Sequence, residues 1–186
     1  MAAWALVAAG VAAIGWGGSV QYRAHTFDRA GRQALSRVHE DIRLARPASI
    51  DARVEPHGLV GILDIPRLGL SEVVAEGDDN ATLRMAIGHL PDTPLPWQNG
   101  NAALAGHRNT HFEPLKNIRP GDRMTLSTPH GDFVYTVQTT AIVLPSDLSV
   151  LAPTPDRTLT LITCYPFVYV GHAPKRFVIR ASEVAD

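Results

Sequence analysis

The sequence predicts an all-β fold, either a closed barrel or a sandwich, and two observations carry this prediction. The 186 residues include 14 prolines and 15 glycines, which interrupt the chain too often for a helical fold. Short runs of β-branched and apolar residues lie between these breaks, a pattern typical of barrels and sandwiches. We expect seven or eight strands and two short helices, in a chain long enough to bury its own core.

Each element is predicted from its local pattern and from the turn residues at its ends. His130 and Gly131 form the expected hairpin turn between two of the strands. Asn80 can cap a short helix at 81–87, and residues 111–118 can form one or two helical turns. The predicted strands are 59–65, 71–75, 102–105, 123–127, 132–144, 158–164 and 175–181.

Composition divides the chain into three parts. Residues 1–20 contain no charged side chain, and this length fits a single membrane-spanning helix. A cleaved signal peptide and a buried core helix are the alternatives for this segment. Residues 21–56 are polar, with apolar residues at near-helical spacing and then prolines, and they predict a helical stem and linker. The folded domain is predicted to span 57–186.

Charge leads to two further expectations. The net charge of −1 leaves no basic surface, so nucleic acid is not an expected partner. Arg23, Arg29, Arg32 and Arg37 follow the predicted membrane span. By the positive-inside rule, these arginines place the C-terminal side of the span in the cytoplasm.

The single cysteine, Cys164, ends the strand predicted at 158–164. One cysteine cannot form an intramolecular disulfide or a thiolate-rich zinc site. A free cysteine is usually buried, where it acts as a small apolar side chain. However, side-chain alternation places Leu159 and Leu161 on the opposite face from Cys164, and Pro166 ends the strand just after it. We therefore expect Cys164 at a strand end that solvent and substrate can reach.

Two other side chains are candidates for chemistry with this thiol. If strands 158–164 and 175–181 pair as a hairpin, Arg176 lies near Cys164, whereas Arg180 lies about 13 Å farther along, at ~3.3 Å per residue. His107 follows strand 102–105 at the same kind of strand-to-loop junction. A thiol is mostly protonated at neutral pH, so a nearby imidazole or guanidinium favours the reactive thiolate.

These positions resemble the motifs of one family, the sortases, which are cysteine transpeptidases of bacterial surfaces. The segment Thr160-Leu-Ile-Thr-Cys164 matches the Thr-Leu-X-Thr-Cys signature of the family. Ala105-Gly-His107 matches its histidine motif, and Lys175-Arg176-Phe177 matches the segment with its arginine. Together the motifs cover about 57–181, and the pattern around the cysteine is most similar to class D.

The resemblance implies a closed eight-stranded β-barrel with two or more short helices, held outside the cytoplasm by the N-terminal transmembrane helix. We give this implication more weight than the arginine count. It also implies cleavage of a Leu-Pro-X-Thr-Gly-like sorting signal between Thr and Gly. The implied partners are surface proteins with a C-terminal sorting signal, an amine acceptor from the cell envelope, and the membrane.

The resemblance also assigns roles to residues. Cys164 would be the nucleophile and His107 the general acid and base. Arg176 would hold the substrate backbone and the oxyanion through its planar fork of donors. No cofactor or metal is required. The further candidates for substrate binding are Ile162, Thr163 and His172.

Two other functions stay open on the residues alone. His107 and His111, at i and i+4, could bind one metal ion in a hydrolase if their segment were helical, although no Glu lies between them as in the metalloprotease motif. A membrane-tethered binding module without chemistry is the other, because a fold does not determine a function. Activity in the presence of a chelator argues against the first, and rapid labelling of Cys164 by a thiol reagent argues against the second.

Overall fold

The computed structural model describes residues 29–34 and 54–184. Its strands close into a barrel in the order β1-β2-β3-β4-β7-β8-β6-β5, which confirms the predicted eight-stranded barrel. The strands are β1 (Leu59–Ile65), β2 (Leu70–Glu76), β3 (Ile87–His89), β4 (Asn101–Gly106), β5 (Arg123–Thr128), β6 (Gly131–Val143), β7 (Thr158–Tyr165) and β8 (Lys175–Glu183).

Side-chain alternation along the strands fills the barrel interior. Leu159 and Leu161 of β7 are fully buried, and Thr163, which has the same facing, is 2% exposed. Phe112 and Tyr135 are the two largest fully buried side chains among the described residues. Each large apolar side chain contributes about 1.5–3 kcal/mol when it is fully removed from water, so this interior accounts for most of the stability of the barrel.

Helical structure is limited to short segments in the described part of the chain. An α-helix spans Asn80–Met85, residues 29–34 are also helical, and 3-10 helices span Pro66–Leu68, Glu113–Asn117 and Leu148–Leu151. Asp79 caps the α-helix, because its carboxylate accepts hydrogen bonds from two backbone N–H groups of the first turn. The predicted cap at Asn80 was therefore wrong by one residue.

The predicted helix at 81–87 also extended too far toward the C-terminus. The helix ends at Met85, and Ile87–His89 forms β3, which pairs in parallel with β2 and antiparallel with β4. Three residues are too few to show a period-2 pattern, so the sequence did not predict this strand. Its backbone pairing closes the barrel between β2 and β4.

The outer face of β4 and β7 is covered over most of its length. Asn101 and Thr160 are both fully buried. The Asn101 amide donates to the carbonyls of Val150 at 3.0 Å and Ala152 at 3.2 Å, and the Thr160 hydroxyl donates to the Asn101 side-chain oxygen at 2.6 Å. The 3-10 helix Leu148–Leu151 therefore packs over these two strands, and β7 is open only toward its C-terminal end.

A second apolar cluster lies outside the barrel interior, on the outer face of β1 and β2. It contains Ile62, Val73, Ala75 and Ala86. Residues 29–34 are helical and lie beside Val73, and the Arg32 guanidinium donates to the Ser71 hydroxyl at 3.0 Å and the Ser71 carbonyl at 2.5 Å. Part of the predicted stem thus contacts the barrel directly.

The predicted membrane anchor, residues 1–20, lies outside the described residues. Within residues 29–34 and 54–184, no helix has the length and apolar character that a membrane crossing needs. The domain start at residue 57 stays a prediction, although Val54 already packs against the barrel core.

Candidate active site

Three strand ends meet at one end of the barrel. β4 runs parallel to β7, with Gly106 opposite Thr163. His107 and Cys164 are therefore the next residues along these two neighbouring strands. β8 runs antiparallel to β7 on its other side, and Cys164 pairs directly with Arg176. The hairpin predicted for these two strands placed Arg176 near Cys164, and the observed register confirms that prediction.

Local packing fixes the end of β4 beside the end of β7. The Thr163 hydroxyl donates to the Gly106 carbonyl at 2.7 Å, which ties the two strand ends together. A side chain at Gly106 would lie 2.6 Å from the Phe112 ring, so only glycine fits against that ring. The Phe112 and Thr110 amides both donate to the His107 carbonyl, which shapes the turn after the strand.

His107 is half-buried on this turn. Burial, together with the neighbouring His111 and Arg84, holds the pKa of its imidazole below the ordinary value. The neutral ring is therefore favoured near pH 7, and a neutral imidazole can accept a proton. This is the protonation state in which His107 could act as a base toward a thiol or an incoming amine.

Cys164 is a free, half-buried cysteine. The Arg176 guanidinium, also half-buried, donates to the backbone carbonyls of Lys175 at 3.1 Å and Ala173 at 3.4 Å, at the start of β8. Arg180 lies opposite Thr160 and donates to the Val150 carbonyl at 2.9 Å, so it holds the covering 3-10 helix. The two arginines share a facing, but only Arg176 lies beside the thiol.

The metal-hydrolase alternative depended on a helix through His107 and His111. Turns occupy residues 108–112, and a 3-10 helix begins only at Glu113, so this condition is not met. The His111 Nδ1 instead lies 2.9 Å from the Glu72 carboxylate on β2. No group of three His, Cys, Asp or Glu side chains in the described ranges is arranged to hold a metal ion.

The candidate substrate-binding residues lie in different surroundings. Ile162 is half-buried on β7, and His172 is exposed in the loop between β7 and β8. Thr163 is buried, and its hydroxyl is used by Gly106, so its side chain links strands at this site. A role for each of the three in substrate binding stays a prediction.

Sequence reasoning missed the side chains that other elements bring to the segment from His107 to His111. Glu72 comes from β2 and Arg84 from the α-helix, and both approach the histidine segment only because the barrel closes. Arg108 donates from its Nη2 to the Tyr169 carbonyl across the site end of the barrel, at 2.9 Å. No local pattern marks Glu72 or Arg84. Arg108 could have been found, because it directly follows His107.

A cysteine, a histidine and an arginine therefore lie at three adjoining strand ends of a closed barrel, and these side-chain types suit the chemistry of an activated thiol. The model of the sortase domain matches residues 63–184. The chain is 38% identical to sortase D of Bacillus subtilis (strain 168) over 125 residues, which cover 67% of this chain and 63% of that protein. It is 34% identical to sortase SrtE1 of Streptomyces coelicolor over 163 residues, which cover 77% of this chain and 45% of that protein.

The fold is shared with solved structures. A Clostridium perfringens sortase D5 transpeptidase superposes with a TM-score of 0.71 at 22% identity, over 88% of this chain and 99% of that one. The chain belongs to the sortase family, as its motifs predicted. It spans less than two thirds of the length of the Bacillus and Streptomyces proteins.

Proposed function

We propose that the protein is a cysteine transpeptidase in which Cys164, His107 and Arg176 carry the chemistry. One observation supports this above the others: β7 places a half-buried Cys164 directly opposite Arg176, while β4 brings His107 to the adjoining strand end. Family membership supports the same assignment. A buried structural cysteine would instead be as fully enclosed as Thr160 on the same face.

The reaction has two steps. His107 takes the proton of the Cys164 thiol, the thiolate attacks the carbonyl carbon of the scissile Thr residue, and the C–N bond breaks as His107 passes this proton to the leaving amine. A second amine then loses a proton to His107, attacks the thioester and expels the thiolate. Each step passes through an oxyanion, which the guanidinium of Arg176 stabilises with its N–H donors.

The proposed donor is a surface protein with a Leu-Pro-X-Thr-Gly-like sorting signal, and the acceptor is an amine of the cell envelope. We propose that residues 1–20 anchor the protein in the cell membrane as a single span, with the barrel on the extracytoplasmic side. The uncharged stretch between Ala2 and Val20 supports the anchor. The family resemblance supports the orientation.

The direct test is to trap the thioester. The protein is incubated with a mixed library of sorting-signal peptides and analysed by intact mass spectrometry, with Cys164→Ala as the control. We expect a peptide-sized adduct on the parent protein, absent from the variant, and an unchanged unfolding midpoint. A loss of several kcal/mol in the variant would instead mean that the thiol is part of the core. Peptide binding without any adduct would support the binding-module alternative.

A further inference from the structure

The loop between β7 and β8 has a first part that packs against the barrel and a second part that is exposed to solvent. Its first part is held by Phe167, which packs edge-on against Phe177 with ring centroids 5.5 Å apart and contacts the core cluster. Residues 168–172, named here the outer loop, are exposed, and Val168 and Val170 are 95% and 98% exposed. Apolar side chains do not hold this part of the loop in place.

Arg108 supplies the attachment of the outer loop. Its Nη2 donates to the Tyr169 carbonyl at 2.9 Å and lies 3.4 Å from the Gly171 carbonyl. Its guanidinium also lies over the Tyr169 ring, 5.9 Å from the ring centroid. Within the described residues, no other side chain has a hydrogen bond to the outer loop.

The base of this attachment is rigid. Arg108 follows His107, whose carbonyl accepts hydrogen bonds from the Thr110 and Phe112 amides at 3.3 and 3.0 Å. The Phe112 side chain is fully buried. A displacement of the outer loop therefore moves the Arg108 side chain and leaves the His107 backbone in place.

The attachment is incomplete. The Arg108 Nη1 is shielded from solvent, and no described residue accepts a hydrogen bond from it. A shielded donor without a partner disfavours the closed arrangement, because this nitrogen would regain hydrogen bonds to water on opening. Few contacts stabilise the closed outer loop, and the unpaired Arg108 Nη1 disfavours it. This balance suits a segment that opens readily.

We propose that Arg108 is a positioning residue that latches the outer loop closed beside the Cys164 site and so controls how the peptide substrate binds there. This role in catalysis rests on the proposed transpeptidase function. Arg108 has no part in the proton or acyl transfer itself. Loss of the latch should therefore weaken substrate binding and leave the rate of the chemical steps nearly unchanged.

Chymotrypsin is a direct probe of the latch, because Tyr169 lies in the outer loop and is 48% exposed. Full-length protein, Arg108→Ala and Arg108→Lys are digested, and cleavage after Tyr169 is followed by the masses of the products. Arg123→Ala removes an exposed arginine from β5 and is the matched control. We expect cleavage to be about tenfold faster in Arg108→Ala, as for the loss of one or two hydrogen bonds. Arg108→Lys should be intermediate, and the control unchanged.

Kinetics test the functional part. Arg108→Ala should raise KM for a sorting-signal peptide about fivefold and leave kcat within about twofold, with partial rescue in Arg108→Lys. Equal cleavage after Tyr169 in the parent and Arg108→Ala would overturn the latch, and a loss confined to kcat would overturn its role in binding. If Arg108→Ala unfolds, chymotrypsin will cut it throughout the chain. The latch is then tested by the rate of cleavage after Tyr169 in Arg108→Lys, compared with the rate in the parent protein. If the parent forms no thioester, the proposed function fails, and the cleavage rates still test the latch.

Discussion

Arg176 and Arg180 share a facing on β8 but have different contacts. Arg176 pairs with Cys164, whereas Arg180 lies opposite Thr160 and donates to the Val150 carbonyl. We expect Arg176→Lys to lower the transpeptidation rate at least ~10-fold, because an ammonium cannot replace a planar fork of donors at an oxyanion. Arg180→Lys is the matched control and should stay within a few-fold of the parent.

Rates for both variants are measured on one peptide under saturating acceptor, together with their unfolding midpoints. Arg180→Lys should show its effect in stability, because it weakens the contact with the 3-10 helix Leu148–Leu151. Near-equal rates, or a larger loss of rate at Arg180, would show that the guanidinium beside the thiol is not the one that the reaction uses.

The protonation of His107 depends partly on His111. Burial lowers the pKa of His107 most, and repulsion from His111 and Arg84 lowers it further. His111→Gln is therefore expected to raise the pKa of His107 while leaving it below the ordinary range. NMR titration of the imidazole protons measures this directly. His130→Gln, on the β5–β6 turn, should not change the His107 titration.

This pKa shift also has a consequence for stability. As the pH falls through 6.5, the ordinary value, the unfolded chain takes up a proton at residue 107 before the folded protein does. The folded state therefore loses stability in acid, and the loss is complete below the folded pKa. His111→Gln should make this loss smaller. An unchanged pH dependence of the unfolding free energy would show that the two rings do not interact.

At the scale of elements, the buried Asn101 joins β4 and β7 to the 3-10 helix Leu148–Leu151 and to Ala152, the residue after it. Asn101→Ala would leave the Thr160 hydroxyl and the Ala152 carbonyl without their partner, and the Val150 carbonyl with only Arg180 as a donor among the described residues. We expect a loss of about 3 kcal/mol in urea unfolding, as for damage to a buried hydrogen-bond network. Gln138→Ala removes an exposed amide from β6 and should change stability by less than about 0.5 kcal/mol. A similar small change at Asn101 would contradict this account.

The strands with a complete apolar pattern and a turn at each end could be predicted from the sequence. Strand β1 matches the prediction at both ends, and β7 and β8 extend it by one and two residues, because their apolar patterns and flanking turns are complete. The direct pairing of Cys164 with Arg176 was also predictable, since a hairpin fixes its own register. Strand β3 was not, because only its neighbours β2 and β4 make its three residues a strand.

The surroundings of the site were less predictable for the same reason. Glu72, on β2, reaches His111 across 39 residues of sequence, and Arg108 reaches Tyr169 across 61. Such contacts depend on how the barrel closes and where its loops lie. Short sequence patterns carry no information about either. Motif resemblance could identify the three proposed catalytic residues, but it could not identify the side chains that tune or position them.

At the scale of the whole molecule, the barrel and the stem are not fully separate. Residues 29–34 lie beside β2, where a side chain added at Gly31 would come within 3.0 Å of Val73. Arg32 donates two hydrogen bonds to Ser71, whose hydroxyl in turn donates to Asp64 on β1. Ser71 is followed by Glu72, whose carboxylate lies 2.9 Å from His111 at the site end of the barrel, so the effect of this contact is measured on both stability and activity.

A chain that begins at residue 54 tests this separation. We expect it to fold and to retain its activity on a peptide, but to lose about 1–3 kcal/mol, because two hydrogen bonds and some apolar cover of Val73 are removed. Arg32→Ala in the full chain should account for about 1 kcal/mol of this loss. Urea unfolding and peptide transfer are measured for all three proteins. Equal stability would show that the stem adds nothing to the domain before residue 54, whereas a large loss of activity would mean that residues 29–34 also support the site.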